Sequence, residues 1–281
     1  SKAERTGSHI VVSGGTPIGE EGLGFISSRG LGERVVGYGG DRDVVTRLIG
    51  DEVVLYRQRG IPVIVEKRRA RGIEIAERVF APTHIILDDA FQHRGAPRDV
   101  DIVLLDAMRP FGNGRLVPAG SLREGPQALE RADIIIFTRA RADSVPREAT
   151  VIVAEKPVFF ASHLPVELVK PDGERLPLDR LQGERIALIS GIARPESFEE
   201  TVRSIGIEPE ASFRFADHHD YTERDIDWIT KMTGPGCTLV TTEKDWVKTA
   251  HLFPHGAGPL ALVIRMEIRG IERLIDRIGG A

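Results

Sequence analysis

Short apolar, β-branched runs recur along this chain at spacings that leave room for a helix between some of them. They are Ile10-Val11-Val12, Ile61-Pro62-Val63-Ile64-Val65, Ile85-Ile86-Leu87, Ile102-Val103-Leu104-Leu105 and Ile134-Ile135-Ile136-Phe137. Runs this short and this apolar read as strands buried on both faces, the habit of parallel sheets covered by helices. Between the second and third runs, the stretch from Arg71 to Phe80 places Ile73, Ala76, Val79 and Phe80 on one helical face, as a βαβ crossover requires. The fold class that follows is α/β with a mostly parallel sheet. After Arg139 the texture changes, and Arg141 to Arg147 is polar and reads as a connection. A smaller α/β unit then follows, with Ile186 to Gly191 as strand and turn, Pro195 to Ile205 as an amphipathic helix and Thr238 to Thr242 as a further strand. The expected organisation is an N-terminal lobe over 1–150 and a smaller lobe over 151–281, with a cleft between them and the last helix placed to pack back on the first lobe. The segment between Gly19 and Gly50, rich in glycine, reads as loop.

Bulk properties narrow the function. The 281 residues carry a formal net charge of -4, so there is no basic footprint and nucleic acid is not an expected partner. No apolar run reaches the length of a membrane span, and Ser1 to Ser8 lack the apolar core of a signal peptide; a soluble, intracellular body is expected. A single cysteine, Cys237, excludes an internal disulfide and a cysteine-based metal cluster.

The stretch Leu87-Asp88-Asp89-Ala90-Phe91-Gln92-His93-Arg94 carries the strongest chemical signal. Two carboxylates at the carboxyl end of a buried strand are costly to desolvate unless they meet a cation, a metal or hydrogen-bond donors. That edge is where ligands bind in open α/β sheets. The pattern fits a ligand or Mg²⁺ role, and a helix N-cap is the alternative. Other polar clusters have two readings as well. Asp51 after Gly50 fits a turn, His218 within Asp217-His218-His219-Asp220 fits a solvated loop, and Thr242-Glu243-Lys244-Asp245 fits a helix cap. The spacing of a zinc site, HExxH or CxxC, is not found.

Taken together and in order, several segments resemble the tetraacyldisaccharide 4'-kinase family. They are Gly50-Asp51-Glu52, Leu87 to Arg94, Phe111-Gly112-Asn113-Gly114 with Leu116 to Glu124, Ala216-Asp217-His218-His219, and Thr242 to Lys248. The resemblance implies a P-loop-like, mostly parallel sheet lobe with a second, smaller α/β lobe, and transfer of the γ-phosphate of ATP to a sugar hydroxyl of a tetraacylated disaccharide. It implies Asp51 and His218 as a dyad at the acceptor hydroxyl, and Asp88, Asp89 and Glu52 around Mg²⁺. It further implies Gly14, Gly15, Thr16 and Gly19 near the nucleotide phosphates, and Gln92, His93 and Arg69 as substrate or phosphate contacts. A lipid-linked disaccharide substrate places such a protein at the cytoplasmic face of the inner membrane, as a peripheral monomer.

One part of the family pattern differs. A Walker A loop, GxxxxGK[ST], cradles phosphates with backbone N–H groups and neutralises them with its Lys. Here Gly14-Gly15-Thr16-Pro17-Ile18-Gly19 is followed by Glu20 and Glu21, and no Lys occurs between Lys2 and Lys67. The alternative readings are a relative that binds the lipid sugar without phosphorylating it, and an altered or truncated form of an active kinase.

Overall fold

The computed structural model describes the backbone of 9–13 and 24–26, and Tyr56, 61–66, 68–254 and 258–279 in full. The described residues form two compact units. One contains those up to Pro97 together with Glu167–Val263, and the other contains Arg98–Val166 with those from Ile264 onward. This grouping is by contact and does not follow a single cut at 150/151. Most strand pairs in both units are parallel.

The chain opens the first unit with β1 (His9–Ser13), β2 (Gly24–Ile26), β3 (Val63–Val65), α1 (Arg69–Phe80) and β4 (His84–Leu87). Their sheet has the order β2-β3-β1-β4. β1 lies between β3 and β4 and is parallel to both, in the registers Val11↔Val63 and Val11↔Ile86. β3, α1 and β4 form the crossover expected from the sequence. β2, inside the glycine-rich segment expected to be loop throughout, is a correction: it pairs antiparallel with β3, Gly24↔Val65 to Ile26↔Val63. An edge strand needs a ladder on one side only, so it tolerates a glycine.

α1 turns a different face inward from the one its apolar residues suggest. Arg69, Gly72, Ile75 and Ala76 are buried, while Val79 is 48% exposed. The reason lies at the first turn, where Arg69 is directed inward by the two main-chain oxygens described below. Ile75 and Ala76 then close a small core with Ile64, flanked by Phe80, Ile85 and Leu87.

Three parallel strands follow in the second unit: β5 (Ile102–Asp106), β6 (Ile134–Thr138) and β7 (Val158–Val169), whose last residues belong to the first unit. Ile134 to Phe137 are all buried, which accounts for the unbroken apolar run. At the carboxyl ends of β5 and β6, Asp106 pairs with Arg139, a residue held at φ 55°.

The rest of the chain contains β8 (Arg175–Leu176), β9 (Arg185–Ser190), α2 (Pro195–Ser204), β10 (Ala211–Arg214), α3 (Glu223–Thr233), β11 (Cys237–Thr242), α4 (Glu243–Thr249), β12 (Leu260–Ile268) and α5 (Ile271–Gly279). In the first unit the order β10-β9-β11-β12 is parallel throughout. β9 divides its side chains between two cores: Ile186 and Leu188 pack with Phe198 and Val202, and Ala187 and Ile189 with Phe213, Ile226 and Ile229. A third core joins Val63 and Val65 of β3 to Trp246, Val247 and Ala261. In the second unit, Leu274 of α5 packs with Ile134, Ile136, Phe159 and Ala161.

One buried carboxylate fastens α2 to β10. Glu199 receives both Arg214 Nε and Nη2, at 2.8 and 2.9 Å. The Arg214 hydrogen bonds hold the Glu199 carboxyl below its ordinary value, against the opposing effect of burial. Because the folded value is depressed, the pair's contribution is present above the unfolded value and is lost as pH falls through the folded one. Arg214 is half exposed, so Glu199→Gln is expected to cost about 1 kcal/mol at neutral pH. Thermal melts of the two proteins should converge as pH falls below roughly 4.

Candidate active site

Three parallel strands of the first unit end in polar residues at their carboxyl edges. After β4, Asp88 and Asp89 enter a series of turns that runs to Pro97, and no helix begins there, which removes the N-cap reading of this pair. Asp89 adopts φ 48°, a left-handed conformation that Asp tolerates better than most residues. His93 N donates to Ala90 O at 2.8 Å, and Ala96 N to His93 O at 3.1 Å, which folds the motif back on itself. Asp88 is half-buried; Asp89, Gln92 and His93 are exposed.

Arg69 ties this edge to that of β3. It is 5% exposed, donating from Nη1 to Glu66 O at 2.8 Å and from Nη2 to Asp88 O at 3.3 Å. Burial lowers its pKa, while the carboxylates of Asp88, Asp89 and Glu66 act in the other direction. The guanidinium therefore fixes the backbone of the first aspartate and places a positive charge behind the carboxylate pair. Glu66, also buried, accepts Arg68 N at 2.9 Å. Sequence reasoning missed Glu66; a carboxylate directly after a buried strand, three residues before an Arg, was the available signal.

The second cluster lies at the carboxyl edges of β9, β10 and β11. Asp245 in α4 is fully buried, and its carboxylate accepts Gly191 N at 3.0 Å, Tyr221 OH at 3.1 Å and Thr242 Oγ1 at 2.7 Å. Thr242 Oγ1 in turn accepts Asp245 N at 3.0 Å, so the capping reading of this motif is correct as far as it goes. Beyond the cap, the same carboxylate holds two loops. Gly191 is needed there, because a Cβ would lie 2.9 Å from Tyr221 OH, 3.1 Å from Asp245 Oδ1 and 3.2 Å from Ala216 O. Burial, then Asp245, pushes the Tyr221 phenol far above its usual range, so it stays protonated and donates to the Asp245 carboxylate.

His218 hangs from this assembly. Its N–H donates to Gly191 O at 3.1 Å, its backbone has φ 59°, and its exposed side chain brings Nε2 within 3.3 Å of Lys244 Nζ. The neighbouring His219 is turned into the structure, stacked on Phe215 with ring centroids 4.6 Å apart and 3.3 Å from Asp225 Oδ2. The two adjacent histidines thus have different roles, and His218 is the one presented outward. Sequence reasoning missed Tyr221 and Gly191 as supports of this loop, since their contacts with Asp245 span 24 and 54 residues.

Asp88 and Arg69 are brought together directly, and His218 stands in a separate loop of the same unit. Gly14, Gly15, Thr16 and Gly19, with Asp51 and Glu52, lie outside the described residues. Among the described residues no three His, Cys, Asp or Glu side chains converge as a metal-binding group. Asp88 and Asp89 nonetheless suit Mg²⁺, which takes one or two carboxylates and keeps its remaining positions for water and phosphate.

A central strand flanked by two parallel neighbours, with paired carboxylates at the carboxyl edge, defines an α/β protein with a mostly parallel sheet and a ligand edge at its strand ends. The model of the tetraacyldisaccharide-1-P 4'-kinase (LpxK) family matches residues 21–278, and the chain belongs to that family. It is 39% identical over 238 residues to a tetraacyldisaccharide 4'-kinase of Syntrophus aciditrophicus, covering 78% of this chain and 63% of that protein. It is 33% identical to one of Geobacter metallireducens, covering 95% and 84%. The chain thus spans less than two thirds of the length of the Syntrophus relative. Among solved structures, LpxK from Aquifex aeolicus in complex with ATP superposes with a TM-score of 0.70 at 26% identity, covering 96% of this chain and 79% of that one.

Proposed function

We propose that this chain transfers the γ-phosphate of ATP to the 4'-hydroxyl of a tetraacyldisaccharide 1-phosphate, a step of lipid A biosynthesis. The observation that carries this reading is the Asp88-Asp89 pair, set at a parallel-sheet edge by Arg69 in a chain of this family. Phosphoryl transfer depends on positioning and charge neutralisation more than on covalent chemistry. Asp88 and Asp89, with Glu52, are the residues that would hold Mg²⁺. When bound, the ion neutralises phosphate oxygens. Gly14, Gly15, Thr16 and Gly19 would border the phosphates, and Gln92 and His93 would contact substrate from their exposed turn. Arg69 contributes through the Asp88 backbone and through its charge.

Asp51 and His218 serve the acceptor: the carboxylate orients the sugar hydroxyl and the imidazole supports proton removal. The acyl chains of such a substrate call for work at the cytoplasmic face of the inner membrane, as a peripheral monomer. No helix among the described residues is long and apolar enough to cross a membrane. In this proposal the nucleotide-bearing residues come from 1–150 of the chain, and 151–281 brings His218.

The test is a mass-spectrometric assay with purified protein, Mg-ATP and tetraacyldisaccharide 1-phosphate in detergent micelles. Product is expected, falling by at least about a hundredfold in Asp51→Ala. A folded chain that makes no product would instead favour the ATP-deficient relative suggested by Glu20 and Glu21.

A further inference from the structure

We propose that Lys244 is a positioning residue for His218, holding its imidazole in the Nδ1-protonated tautomer on a loop clamped by Asp245. The inference builds on the kinase reading for its significance. Lys244 Nζ and His218 Nε2 are 3.3 Å apart. An ammonium has donors and no acceptor, so a hydrogen bond between the two requires the lone pair of Nε2, and the ring proton then resides on Nδ1. A competing neighbour is Asp217, whose Oδ2 lies 3.9 Å from the same nitrogen and would favour a proton there. The Lys244 contact is shorter, and 3.9 Å exceeds hydrogen-bond length.

Both partners are held on short leashes. His218 is tied through its own N–H to Gly191 O, and Gly191 N is bound by Asp245. Lys244 precedes Asp245 in α4, whose start is fixed by Thr242. The same buried carboxylate therefore sets the loop that carries the imidazole and the helical turn that carries the ammonium. His218 accordingly presents Nδ1–H as a donor, and Lys244 acts on the reaction only through that ring.

The tautomer is read by two-bond ¹H–¹⁵N spectroscopy on the whole chain, with His218→Gln identifying the signal. The expected pattern is a protonated Nδ1 in the unsubstituted protein, retained in Lys244→Arg and shifted towards protonated Nε2 in Lys244→Met, with all three melting alike. Turnover of Lys244→Met should fall by about tenfold or more, with KM for ATP nearly unchanged. A protonated Nε2 in the unsubstituted chain, or a pattern indifferent to Lys244→Met, overturns the proposal. The tautomer shift in a chain that phosphorylates nothing supports this contact and overturns the kinase reading instead.

Discussion

Asp88→Asn is expected to lower phosphoryl transfer by at least about a hundredfold while leaving the melting temperature within roughly 2 °C of the parent. The separation of the two effects comes from how the residue is held. Arg69 binds the main-chain oxygen of Asp88, which the substitution does not touch. The amide keeps the shape of the half-buried side chain and removes only its charge. An uncharged oxygen is a weaker ligand for Mg²⁺, so part of the lost rate should return as Mg²⁺ is raised. Arg69→Met should behave in the opposite way. It removes both main-chain hydrogen bonds of a buried guanidinium and leaves Glu66 O and Asp88 O without that donor, so stability should fall by about 2–3 kcal/mol along with activity. Full turnover by Asp88→Asn under limiting Mg²⁺ would remove Asp88 from the reaction.

The strands legible in the sequence are those that are apolar along most of their length, whether or not both faces are covered: β4 and β5 were legible although Ile86 and Leu104 are exposed. β6 and β9 show most clearly, because parallel neighbours on both sides and nearly complete burial leave them almost no wet side. β7 was not legible although it is twelve residues long, since Ser162, His163, Pro165 and Glu167 interrupt it and much of it is half-buried. α3 was announced by Thr222 and Asp225, which form a capping box, but the pair was masked by the polar run of Asp217 to Asp220 before it. For the site the contrast is similar. Asp88, Asp89 and His218 stand in short polar motifs that adjacency alone reveals. What orients them does not: Asp245 reaches Gly191 across 54 residues, and the burial of Arg69 depends on a carbonyl 19 residues away. Long-range hydrogen bonds leave no periodic trace, so a buried carboxylate that clamps two loops reads in the sequence as a helix cap.

Asp245→Leu is expected to be the most damaging single change in the first unit, lowering the free energy of unfolding by about 3 kcal/mol or more in urea denaturation. Leu branches at the same carbon as Asp and is the larger side chain, so the cost is not a cavity. It is the loss of the acceptor for three donors: Gly191 N–H, Tyr221 OH and Thr242 OH. Asp245 is fully buried, and water does not reach it to replace the missing oxygens. Asp245→Asn keeps one oxygen but turns an NH₂ towards groups that already donate, so it should cost less, about 1–2 kcal/mol. Tyr221→Phe removes one of the donors, and its combination with Asp245→Leu should cost less than the two separately, by roughly 0.5–2 kcal/mol. Strict additivity, or a denaturation midpoint for Asp245→Leu equal to the parent's, would show that the carboxylate does not hold these loops. The functional consequence follows from the same connection: with Gly191 released, the backbone acceptor of His218 moves, and turnover should fall even where enough chain remains folded to bind ATP.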